Sequence, residues 1–327
     1  MTFQRHRFPS LNLPSRTGGL DPLDRKTIWA IGGGKGGIGK TILTSNMAVY
    51  LSWLNKRVVV VDLDLGGSNL HTAVGVDPPT KTLGDLISGR VADVHDMLLP
   101  TPIRGLQILS GAHDPAGITH LDKTQMTHLV AKLGEIQADY ILLDLGAGTS
   151  SNTLDFFLAA DQKIVLVTPE PTSIENAYRF IKLAFYRMLR MSATSAKVCD
   201  LIESAMDMKS AHGIRSPRDL LAEVRRQAPD DGADLQMRME RFAISLIVNQ
   251  VRVKSESDIG KSITLVCERY FGMKVDYQGY LPYDSSVWQS IRHRVPFLID
   301  SPNSQAVTHL ESILRNLLKT NQTRAAV

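Results

Sequence analysis

The sequence predicts an α/β fold, a doubly wound and mostly parallel sheet with helices packed on both faces. Three observations carry that expectation. Short runs of β-branched and aliphatic residues alternate with longer helix-favouring stretches along most of the 327 residues. A glycine-rich segment, Gly32 to Thr41 (GGGKGGIGKT), joins the first apolar run to the first helical one. Two later runs, RVVVVD and YILLD, end in Asp62 and Asp144, and the carboxyl ends of parallel strands are where such sheets present ligand-binding groups.

In chain order, the expected strands are Thr27–Ile31, Arg57–Asp62, Leu106–Ser110, Tyr140–Asp144, Lys163–Val167, Ala243–Asn249 and Val275–Tyr280. The run at 57–62 is continuous in β-branched residues, as a strand covered on both faces should be. Expected helices include Ile42–Leu54, Leu121–Leu133, Ser173–Leu189 with Ser173 as N-cap, and Ser304–Leu318. Residues 27–327 read as a single domain. About 190–240 is more chain than one crossover needs, and segments such as PRDLLAEVRRQ (Pro217–Gln227) and Asp234–Arg241 predict a helical insertion there.

Composition sets limits on function. No apolar run of about 18 residues is present, and the polar, arginine-containing start does not read as a signal peptide. Cys199 and Cys267 are far apart, which argues for a reducing cytoplasm and against a cluster or zinc site. The formal net charge is +4. Residues 1–26 hold five basic side chains against two acidic ones, so the remaining chain is nearly neutral. This start reads as a flexible basic leader, and nucleic-acid binding by the body is not favoured.

The glycine-rich segment satisfies G-x-x-x-x-G-K-[ST] with Gly34, Gly39, Lys40 and Thr41, placed between strand and helix as a P-loop requires. Glycines let successive N–H groups turn toward phosphate oxygens, and the helix that follows points its positive end at them. Gly34, Lys35, Gly36, Gly37, Ile38, Gly39, Lys40, Thr41 and Ile42 are the expected nucleotide contacts. Lys40 supplies charge to the β/γ-phosphates, and Thr41 offers its hydroxyl to Mg²⁺. Asp62 and Asp64, in DLDLGG, arrive beside this loop; one carboxylate can serve the Mg²⁺ shell while the other orients a water for attack. Asp144 ends an apolar strand in the Walker-B manner, holding Mg²⁺ through water, and Gly146 and Gly148 leave room for backbone near the γ-phosphate. Asn249 ends LIVNQ with an amide that can both donate to and accept from an adenine edge. No N-K-x-D guanine motif occurs, which favours ATP.

Lys35, inside the loop, is not required by the general pattern. With it, G-K-G-G-x-G-K-T resembles the deviant Walker A loop of the MinD/ParA group of ATPases, in which the extra lysine reaches across a dimer interface to the partner's phosphates. The resemblance implies an ATP-dependent homodimer, slow and partner-stimulated ATP hydrolysis, and a catalytic set of Lys35, Lys40 and Asp64, with Asp64 placing the attacking water. It also implies that the segment Gly279 to Asp284, with Pro282 and Asp284, lines the adenine, and that Glu170 lies at the dimer face. Together with DLGAGTS and TPEPTSIENAY, the loop resembles most the branch holding the flagellar-number regulators FlhG and FleN and the division-site protein MinD. A switch that positions or regulates a surface machine, working through a protein partner, is therefore expected. The alternatives are a ParA-like DNA or cargo partitioning ATPase, and an ATP-dependent amidoligase or synthetase on the same fold. Apolar residues of the last helix, from Ala306 to Leu318, fall on one face. That face could touch a membrane peripherally, but without aromatic anchors or a strongly basic opposite side, core packing is expected.

Overall fold

The computed structural model describes residues 26–111, 121–193, 195–206, 214 and 216–325, with side chains to Thr320. The expected leader therefore lies outside the described residues except for Lys26. Eight strands form one sheet in the order β3-β4-β2-β5-β1-β6-β7-β8. They are β1 (Thr27–Gly32), β2 (Val58–Leu63), β3 (Leu99–Pro100), β4 (Leu106–Leu109), β5 (Tyr140–Leu145), β6 (Gln162–Val167), β7 (Ala243–Val251) and β8 (Lys274–Pro282). All neighbours run parallel except the short β3, which the periodicity did not reveal and which pairs antiparallel with β4 through Leu99 and Pro100.

The central strands are buried on both faces, which explains their unbroken aliphatic runs. Side chains alternate between two cores: Trp29 and Ile31 of β1 face one, and Ala30 faces the other. The first core is covered by α1 (Lys40–Trp53), α12 (Phe297–Asp300) and α13 (Gln305–Ala325). The second is covered by α4 (Lys123–Glu135), α5 (Ser151–Ala159), α6 (Pro171–Ser192), α7 (Ala196–Met206), α8 (Pro217–Gln227) and α9 (Pro229–Arg241). Val198, Leu201, Ile202, Leu220, Val224 and Leu235 carry that core without a break into the helices of residues 196–241. The small helices α2 (Leu70–Ala73), α3 (Leu83–Ile87), α10 (Ile259–Val266) and α11 (Ser285–His293) fill the edges.

The start of α6 differs from the expectation in a way that changes a residue's role. α6 begins at Pro171, whose missing N–H costs nothing in the first turn, with Glu170 at the N-cap position. Ser173 lies inside that turn, and its hydroxyl accepts from the Thr168 N–H at 3.0 Å, tying the strand end to the helix. The C-terminal helix also runs past Leu318, to Ala325. Its apolar face is internal, with Ala306, Leu310, Ile313, Leu314 and Leu317 at 0–1% exposure. No helix among the described residues is long and apolar enough to cross a membrane.

Because the α13 face is part of the core, Leu310→Ala should cost about 2–5 kcal/mol of stability. Urea unfolding checks this; a change near zero would mean that the helix is not packed as described.

Candidate functional site

Parallel pairing brings the functional groups to one edge. Ile31 of β1 is in register with Asp144 of β5, which is in register with Asp62 of β2 on its other side. The loop leaving β1 therefore passes directly over two adjacent carboxyl groups. The loop itself needs glycine at particular points: Gly37 and Gly39 have φ of 75° and 92°, in the left-handed region. At Gly34 a Cβ would lie 2.2 Å from the Asn176 carbonyl oxygen, so the first half of the loop rests on the α6 backbone.

Asp144 is buried and accepts hydrogen bonds from Thr41 and, at 3.2 Å, from Thr44 Oγ1. Burial first, then the neighbouring Asp62, pushes its carboxyl from the usual 3.8 up to about 7. Asp62, 1% exposed, accepts from Ser68 Oγ at 2.7 Å, Leu70 N at 2.9 Å and Asp64 N at 3.1 Å. These bonds fold the turn that presents Asp64. Burial raises the Asp62 pKa as well, and the three donors oppose it. Asp64 is half-buried, and its Oδ1 lies 3.2 Å from where a Cβ on Gly146 would sit, across the mouth from the loop. Lys40 is 8% exposed; burial lowers its pKa while Asp144 and Asp64 hold it up. Its Nζ lies 3.4 Å from the Lys35 carbonyl.

A cavity of about 570 Å³ runs from Gly36, Gly37, Gly39, Lys40 and Thr41 past Asp64 to Asn249 and Pro282, and ends against Val287 and Trp288 of α11. It thus unites most of the expected contacts, with Ile42 in its wall. Lys35 points elsewhere. Its ammonium pairs with Glu170 Oε2 at 2.5 Å and donates to Thr172 Oγ1 at 3.3 Å, at the start of α6. Asp284 also lines the cavity, but its carboxylate caps α11 through Ser286 N at 2.9 Å and reaches Ala306 N at 3.4 Å. Thr44, Ser68 and Thr172 escaped the sequence reading. Thr44 follows Thr41 by one helical turn, the spacing that could have revealed it; the other two depend on tertiary folding.

Glycines open to an anion, a buried lysine and a hydroxyl beside a buried carboxyl are the parts of a nucleotide-triphosphate site, and the fold with this site defines a P-loop NTPase. A sequence model of the family described as "ParA: NUBPL iron-transfer P-loop NTPase" matches residues 24–212. The chain belongs to this ParA family. It is 28% identical over 290 residues to the antiactivator FleN of Pseudomonas aeruginosa, covering 88% of this chain and 85% of the relative. It is 31% identical over 151 residues to the septum site-determining protein MinD of Bacillus subtilis, covering 46% of this chain and 56% of that one. The septum site-determining protein MinD complexed with Mg-ADP from Pyrococcus horikoshii superposes with a TM-score of 0.62 at 20% identity, over 93% of this chain and all (100%) of that one.

The residues present fit Mg²⁺ with a nucleotide: two buried carboxyl groups whose ionised forms are disfavoured gain from a divalent cation. Thr41 and Asp144 would hold it, with Asp62 behind them. Without nucleotide, Asp144 is protonated in the folded chain at pH values where the unfolded chain has lost that proton. Stability should therefore fall as pH rises from about 4 to about 7. Thermal melting across that range checks this, and Asp144→Asn should flatten the fall.

Proposed function

We propose that this protein is an ATP-dependent dimerising switch that positions or regulates a cell-surface machine such as flagella, pili or the division site. The placement of Lys35 carries the proposal. A lysine inside the phosphate loop would be expected to turn inward if its task were to bind its own phosphates. Instead it lies at the outer edge of the site, 38% exposed and paired with the Glu170 side chain at 56% exposure. A second copy approaching this face would meet Lys35 first. Glu170 and Thr172 hold the ammonium until a partner's phosphates, with more negative charge than one carboxylate, replace them.

In this reading Lys40 and the loop N–H groups would bind the β- and γ-phosphates, and Thr41 and Asp144 would hold Mg²⁺, whose charge would offset that of the phosphate oxygens. Asp64 faces the same space from the turn that Asp62 organises, and orients the attacking water. Slow hydrolysis then ends the dimer. The names of the relatives support the assignment to surface machinery: FleN is an antiactivator and MinD a septum site-determining protein. The protein partner is expected on the dimer. The buried face of α13 leaves any peripheral membrane contact to another surface. Iron transfer gains no support from the cysteines, since the buried Cys267 thiol is pushed up to about 12 and the Cys199 sulfur accepts from Arg190 at 2.9 Å.

Lys35→Ala should bind Mg-ATP but remain a monomer. Light scattering with and without ATP checks this, and normal ATP-dependent dimerisation of the variant would refute the switch reading.

A further inference from the structure

The phosphate loop is gripped by a residue that lines the same cavity. Asn249 Nδ2 donates to the Ile38 carbonyl at 2.7 Å, and its Oδ1 accepts from Gln250 N at 2.9 Å. Both ends of the amide are thus engaged, and their opposite chemistry fixes which end is which. Nδ2 also stands 2.5 Å from where a Cβ on Gly39 would be, so the contact requires glycine there.

An irregularity in the sheet makes this reach possible. The β7–β8 register breaks between Val248 and Val251, which frees Asn249 and Gln250 from the ladder. Gln250 adopts φ of 59°, a left-handed conformation that is strained for a non-glycine residue. Strain of that kind persists where surroundings enforce it.

The Ile38 carbonyl and the Gly39 N–H belong to one peptide plane and point in opposite directions. A donor fixed on the carbonyl therefore turns the Gly39 N–H away from Asn249 and fixes its direction. We propose that Asn249 is a positioning residue of the phosphate cradle, acting on the Ile38–Gly39 peptide, and not chiefly a reader of the base. This rests on the cleft being a nucleotide site.

The test compares Asn249→Ala with the wild type for affinity toward Mg-ATP, Mg-GTP and inorganic tripolyphosphate, by displacement of a fluorescent ATP analogue, with melting to confirm folding. All three affinities should fall by a similar factor, about tenfold, with the ATP/GTP ratio unchanged. Asn249→Ser, too short to reach the Ile38 carbonyl, carries the same expectation should the alanine variant fail to fold. Unchanged tripolyphosphate affinity with a lost preference for ATP would overturn the proposal and make Asn249 a base reader. A wild type that binds none of the three would overturn the nucleotide-site reading itself, and the proposal with it.

Discussion

The burial of two neighbouring carboxyl groups at one end of the sheet is the constraint from which the site follows. Asp62 and Asp144 are 1% and 2% exposed on adjacent strands, in register, where like charges in low dielectric would repel. Three donors from the following turn stabilise Asp62, while Thr41 and Thr44 serve Asp144. Lys40 completes the neutralisation without a direct hydrogen bond to either. A divalent cation beside the two carboxyl groups would offset the remaining negative charge. The same bonds that shield Asp62 shape the turn bearing Asp64, so one set of interactions both holds the edge of the sheet and places Asp64 at the cavity.

Around that centre the loop is braced at two points by unrelated parts of the chain. Its first half lies against α6, where any side chain at Gly34 would strike the Asn176 backbone, and Lys35 is anchored by Glu170 and Thr172 of the same region. Its second half is held by Asn249 from the end of β7. The helix carrying the first brace runs on to pack with α7 and α9, so the loop and the helices of 196–241 share one rigid element. Contiguity of this kind is a physical route by which nucleotide occupancy could be felt at a distant surface.

The sequence made the parallel strands legible because doubly buried strands require unbroken aliphatic runs, and RVVVVD and YILLD admit few other readings. The phosphate loop was legible because its glycines and lysine answer to backbone geometry and charge, both local. Elements whose reason is tertiary stayed hidden. The two-residue β3 has no periodicity to detect, and Ser173 looks like a helix cap until Pro171 is seen to begin the helix. Asn249 illustrates the limit most clearly: its residue type suits an adenine edge, but its hydrogen bond to the loop backbone depends on a break in β-pairing that composition does not display. Likewise Asp284 sits on the cavity wall but its carboxylate is occupied in capping α11.

In the proposed dimer, Lys35 completes the site of a second copy. Mixing Lys35→Ala with Asp64→Ala and measuring ATP hydrolysis tests it most directly. Each variant alone should be inactive, while a mixed dimer contains one site with an intact Asp64 that receives Lys35 from the other subunit. Activity should reappear on mixing and rise with the fraction of mixed dimer. A mixture as inactive as its components would contradict it.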